Sequence, residues 1–178
     1  YKKIRESKLL ATKSYTYSDL CFVLLPEVIS NITGISYEDF LYKEFMKPLG
    51  LETVCYNPYR CYPKNRFIPT EIDEIFRKEL LCGFVHDETA AVLGGVSGNA
   101  GLFGTTQDLA VIMQFYLNGG NYGGFNYLSE NTIKEFTKVQ YAENKNRRGL
   151  GFDKPYLDNS RRLIADAYPA VSASKNSF

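Results

Sequence analysis

Tyr17 to Leu51 reads YSDLCFVLLPEVISNITGISYEDFLYKEFMKPLGL, and its spacing decides more of the fold than any other stretch. Leu20, Val23, Leu24, Val28 and Ile32 recur at helical intervals, and Gly34 supplies a stop. Ser18 or Asp19 stands where a helix start needs a side-chain acceptor for its free N–H groups. Pro26 falls inside the run. It has no N–H, and its ring crowds the preceding turn, so it predicts a kink or a later helix start. Ser36 with Asp39 forms a capping-box-like opening to a second helix, Tyr37 to Met46, closed by Pro48 and Gly50. Tyr17 lies just outside the first helix. There it either staples the helix as a packed aromatic or carries a phenol that does chemistry.

Outward from this stretch the pattern stays mostly helical. Leu51 to Pro69 reads as loop, because Pro58, Pro63 and Pro69 with Asn57 and Asn65 deny it a long regular element. Thr70 to Leu81 is rich in helix formers and predicts a short helix. Gly94 to Gly104 is glycine-dense, and Thr105 with Asp108 then caps a helix from about Gln107 to Leu117. NGGNYGG reads as a turn into a short strand at Phe125 to Leu128, and Ser129 caps a helix through Val139. GLGFDKP is the best later strand candidate. No repeat appears and no βαβ rhythm. The expectation is one α+β domain, mostly helical with few short strands.

Bulk properties narrow the function classes. The 178 residues are 44% apolar and 23% charged, values of an ordinary globular protein. No apolar run approaches the ~18 residues of a membrane span. A net charge of +1 gives no field to attract nucleic acid, and Arg147-Arg148 and Arg161-Arg162 read as solvated loop pairs. Tyrosine and phenylalanine are abundant, at 14 and 12, and tryptophan is absent. Cys21, Cys55, Cys61 and Cys82 form no CxxC, and with His86 the only histidine no metal site is expected. Cys21 and Cys82 sit in apolar contexts and read as small core residues. Cys55 and Cys61 flank YNPYR and would bridge in an oxidising compartment. The chain begins without Met and ends at SASKNSF, so both ends look cut.

Three segments, in order, resemble the serine β-lactamase and penicillin-binding-protein-like hydrolases, above all the class C and esterase branch. The first is Tyr17-Ser18-Asp19 with its continuation through PLGL, similar to that family's Tyr-x-Asn signature, helix and Pro-Leu-Gly close. The second is GGVSGNAGLFGTTQDLAVIMQFYL, which resembles the family's loop-to-helix passage, and the third is RRGLGFDKP, like a strand of its later sheet. The wording HDETAAVLGGVSGNAGLFGT is most similar to domains appended to glycoside hydrolases in Bacteroidetes-type bacteria. The resemblance implies the middle of a β-lactamase/transpeptidase-like fold, a bacterial envelope or periplasmic setting, a peptidoglycan-like or small-molecule substrate, and no cofactor.

By the same resemblance the reaction runs through an acyl-serine. A Ser-x-x-Lys turn supplies nucleophile and ammonium, and the signature tyrosine relays the proton. Tyr17 matches that tyrosine. Asp19 stands where asparagine is usual, and its negative charge works against a phenolate unless a lysine compensates. His86 and the Asn99-Ala100-Gly101 loop are the candidate substrate-binding residues. The bland readings are a structural histidine and a tight turn. No Ser-x-x-Lys precedes Tyr17. Ser172-Ala173-Ser174-Lys175 is the one match, at a frequency chance supplies, and no Lys/His-Thr/Ser-Gly strand motif appears. The nucleophile is therefore expected outside these residues, leaving this chain inactive by itself. The alternative is a non-catalytic scaffold or binding domain that keeps the fold beside a cell-wall glycosidase.

Overall fold

The computed structural model describes residues 1–11, 15–144, 146–156, 158 and 173–174. The chain divides into two compact units, Tyr1–Leu9 with Tyr17–Met113, and Leu10–Thr16 with Gln114–Phe178. The architecture is α+β, with short antiparallel strand pairs among more extensive helix.

In the first unit a single turn, α1 (Lys2–Arg5), precedes the principal helix α2 (Leu20–Thr33). The helix expected over Leu20 to Ile32 forms, but of the spaced apolar residues only Val23 is buried, and Leu20, Val28 and Ile32 are exposed. Gly34 ends the helix at φ +74°, and its N–H donates to the Ser30 carbonyl at 2.9 Å. Pro26 does not delay the start. The helix begins at Leu20 and carries Pro26 inside it, where Pro26 and Val23 form the buried face. Cys21 is exposed, against its core reading, because two residues along a helix turn it about 200° away from Val23. The Ser36 box forms as expected: Ser36 Oγ accepts from the Asp39 N–H at 3.0 Å and donates to the Asp39 carboxylate at 2.6 Å. It opens α3 (Tyr37–Leu41), which widens to a π-turn over Tyr42–Met46.

The segment expected to be a helix at Thr70 to Leu81 is instead a hairpin, β2 (Pro69–Asp73) paired antiparallel with β3 (Glu79–Cys82). Asp73 explains it. Its carboxylate accepts the N–H groups of Ile75, Phe76 and Arg77 at 2.8–3.0 Å, forming a local turn, and Lys78 then takes a left-handed φ of +56°. These side-chain bonds outweigh the helix preference of Glu, Arg and Lys. A second pair joins β1 (Cys55–Tyr56) to β4 (Leu102–Phe103), with Tyr56 opposite Leu102. Between β3 and β4 lie the short helix α4 (Glu88–Val92) and the glycine-dense loop. The core of this unit includes Val23, Met46, Leu49, Leu51, Tyr56, Leu81, Val85 and Ala90.

Helix α5 (Thr106–Leu117) begins in the first unit and finishes in the second. There NGGNYGG makes the hairpin β5 (Asn121–Tyr122) and β6 (Phe125–Asn126), turning on Gly123 and Gly124, both at positive φ as a two-residue hairpin turn requires. Ser129 caps α6 (Glu130–Thr137), accepting from the Thr132 N–H at 3.0 Å. Phe115 and Ile133 are buried, and Phe115 meets Tyr127 edge-on at 5.9 Å. GLGFDKP forms no strand. Its Gly149 N–H donates to the Phe152 carbonyl at 2.9 Å, and Arg147 and Arg148 both reach the Asp153 carboxylate, at 2.9 and 2.8 Å. The segment therefore folds on itself, and Arg147-Arg148 is an ion-paired set instead of a solvated one. Arg161-Arg162 and most of the Ser172–Lys175 match lie outside the described residues.

Candidate active site

At the mouth of α2 the capping work falls to Ser18, whose Oγ accepts from the Leu20 N–H at 3.3 Å. Asp19 occupies the cap position in helical conformation, and its carboxylate makes no cap bond. Tyr17 is 62% exposed, so it does not act as a buried staple. The helix start is thus capped by Ser18, with Tyr17 and Asp19 adjacent to it in sequence.

The glycine-dense loop packs directly against this helix. Pro26 has no N–H to give the Phe22 carbonyl one turn earlier. Gly98 fits against that carbonyl: a Cβ on Gly98 would stand 2.3 Å from Phe22 O and 3.3 Å from the Pro26 ring. The neighbours of Gly98 hold it there. Ser97, 1% exposed, donates its hydroxyl to Asn99 Oδ1 at 2.6 Å, and its carbonyl accepts from Tyr56 OH at 2.9 Å. Asn99 Nδ2 donates to Asp87 Oδ1 at 3.3 Å, and the same oxygen caps α4 by accepting the Ala90 N–H at 2.7 Å. Burial, with Tyr37 and Glu38 beside it, pushes the Tyr56 phenol far above its ordinary pKa, so it remains a neutral donor. Gly101 sits at φ +116°, with Gly95 O and the Tyr56 ring where a side chain would go, and Ala100 is half-buried.

His86 belongs to a different cluster. Its Nδ1 is 3.1 Å from Glu71 Oε2 on β2, and Arg77 Nη2 is 3.8 Å from the same oxygen, though neither has hydrogen-bond alignment. Arg77 organises this side. Its Nε bonds Asp73 at 2.8 Å, and its two terminal nitrogens donate to the Val85 and His86 carbonyls, each at 2.6 Å. That guanidinium, together with three backbone N–H groups, holds the Asp73 carboxyl well below the usual carboxylate range.

The loop is thus joined to α2 through Gly98 and to α4 through Asp87, while the His86 imidazole turns to the hairpin. The Asn99 side chain is engaged internally, by Ser97 and Asp87. Sequence reasoning missed Asp73, Arg77, Tyr56 and Ser97. Asp73 had a local signal, an Asp heading the run DEIFRK that an Asx-type turn can use. Of the expected Thr105–Asp108 cap pair, Thr105 Oγ1 accepts from the Asp108 N–H at 3.4 Å, while Asp108 Oδ2 turns to the Thr53 N–H and hydroxyl, at 2.7 and 2.5 Å. Cys55 and Cys61 are free thiols, the Cys55 pKa raised by burial and then by Cys61 and Glu38.

Comparison with known proteins bears on this arrangement. No family model matches the chain. It is 37% identical over 136 residues to a Salmonella heidelberg protein named "Putative D-alanyl-D-alanine carboxypeptidase", covering 70% of this chain and 32% of that one. The Salmonella enteritidis counterpart is 36% identical over the same length. The chain therefore spans about a third of the length of these curated relatives. Among solved structures it is similar to a penicillin-binding protein homologue from Pyrococcus abyssi, at TM-score 0.49, 17% identity, 71% of this chain and 26% of that one. It is similar also to a D-amino acid amidase from Ochrobactrum anthropi, at TM-score 0.49, 18% identity, 71% of this chain and 34% of that one. With the ordered motifs around Tyr17 and Gly98 and this identity over most of its length, the chain belongs to the β-lactamase and penicillin-binding-protein-like family.

Proposed function

We propose that this chain is part of a serine hydrolase that cleaves an amide, ester or β-lactam through an acyl-serine intermediate, and that it supplies the proton-relay wall of the cleft. The observation carrying the reading is the exposed Tyr17 at the head of α2, at the matching position of the family signature, beside a loop packed on the same helix. The names of the Salmonella relatives favour an amide at the end of a D-alanyl peptide. The serine and its lysine come from parts of the protein that this chain does not span. An ordinary phenol, with pKa near ~10, acts as a base at neutral pH only beside a cation, and the lysine next to the serine is that cation. Tyr17 then takes the serine proton on attack and returns it to the leaving nitrogen or oxygen. The backbone of Asn99 to Gly101 borders the substrate, and His86 stands at the edge reached by the hairpin. A bacterial cell-envelope location goes with this substrate class, as does a fused glycosidase as partner.

The test is a fluorescent penicillin, or a fluorophosphonate, added to the full-length protein. One serine is expected to be labelled, with Tyr17→Phe slowing labelling while the melting temperature holds. Equal labelling rates would remove Tyr17 from the mechanism. Asp19 in place of the usual asparagine favours a second reading, a scaffold without chemistry, and the full-length protein taking no label from either probe is its expected result.

A further inference from the structure

Away from Tyr17, a cavity of about 490 Å³ opens among the Pro58–Thr70 segment, β4 and the start of α5, within the size range of small-molecule sites. Its apolar walls are the rings of Tyr62, Phe67 and Phe103 with Pro58 and Ile68. Two of these rings are fixed in place. Tyr62 OH donates to the Glu52 carbonyl at 2.9 Å, and the Phe67 ring rests on Gly83, where a Cβ would stand 2.8 Å from it. The polar lining is four threonines and one charged side chain, Arg66, and no acidic residue faces the space. The Arg66 guanidinium carbon lies 5.7 Å from the Tyr62 ring centroid, and among the described residues it pairs with no carboxylate. None of the lining residues belongs to α2 or to Asn99–Gly101.

We propose that this cavity binds a small organic anion with an aromatic-sized apolar body, its carboxylate paired with Arg66. A neutral apolar ligand covers the rings but gains nothing from the exposed Arg66 guanidinium at the rim. A carboxylate offers the guanidinium two parallel charge-assisted bonds while the ligand body covers the rings. The cation–π contact with Tyr62 holds the guanidinium at the wall. This site is separate from the hydrolase reading and does not depend on it.

The experiment is a ligand-observed NMR titration of the full-length protein with 3-phenylpropionate and with 3-phenylpropan-1-ol, a matched neutral probe that a hydrolase cannot cleave. The carboxylate should bind roughly two- to fivefold tighter than the alcohol, as an ion pair at an exposed guanidinium predicts. Arg66→Gln, at an exposed position, should abolish that difference, and Tyr17→Phe should leave it unchanged. Equal affinity for the two probes overturns the proposal, as does the absence of saturable binding at millimolar concentrations. So does carboxylate preference that survives Arg66→Gln or disappears in Tyr17→Phe. Labelling by penicillin is untouched by any of these outcomes, so the two readings fail separately.

Discussion

The turn at Asp73 and the helix start at Tyr17 hold similar polar material and use it in opposite ways. At the turn both Asp73 oxygens are engaged: they take three N–H groups and a guanidinium, and Arg77 passes on to two carbonyls. At the helix start Ser18 alone caps, and the Tyr17 phenol is largely in solvent. Polar side chains that satisfy each other fix backbone, whereas an exposed one can meet a substrate. Arg77 and Asn99 are accordingly structural in side chain, and Tyr17, exposed at the helix head, is the better candidate for chemistry.

The sharpest way to break this contrast is Tyr17→Phe in the full-length protein. Loss of a general acid–base group should slow serine labelling by roughly 10²-fold or more, with little change in thermal stability. Next, Asp73→Ala should melt below every other variant named here at neutral pH, because it strips a buried turn of its acceptor. Its effect has a definite pH sign. The native carboxyl has a pKa depressed below the unfolded value of about 3.9, so it stabilises the fold above that pH. The contribution fades as the pH falls toward the depressed value. Melting curves of parent and Asp73→Ala should therefore converge in acid, and a constant gap down to the lowest pH would deny the depressed pKa.

Gly98→Ala comes third. The added methyl meets a backbone carbonyl that cannot rotate away, so denaturant titration should give about 2 kcal/mol of destabilisation. Asp19→Ala should be the mildest in stability, within about 0.5 kcal/mol, since its carboxylate makes no cap bond. A loss near 1 kcal/mol, the value of a working cap, would show that Asp19 is part of the helix start after all.

Where the fold depended on short-range rules, the sequence was a good guide. The helix over Leu20–Ile32, the Gly34 stop, the Ser36 box and the Ser129 cap all depend on residues within a turn or two of one another. Thr70 to Leu81 failed because one side chain, Asp73, captured three N–H groups that a helix would have used, against the preference of the residues after it. GLGFDKP failed because strand formation needs a partner, and its N–H groups instead found Phe152 and Phe136. The candidate site rests on signals local in sequence, a motif at Tyr17 and small residues at Asn99–Gly101. What linked the loop to its surroundings was not legible there, because Asp87–Asn99, Tyr56–Ser97 and Gly98–Phe22 join residues far apart in the chain.

Pro26 and Gly98 illustrate a further consequence. One residue cannot donate a hydrogen bond and the other has no side chain, and each deficiency accommodates the other at the Phe22 carbonyl. Their substitutions should consequently not be independent. A chain that replaced Pro26 would draw that carbonyl back into its helix and loosen the demand for glycine across from it. Drift at either position is therefore conditional on the other, and the two are best regarded as a single heritable character.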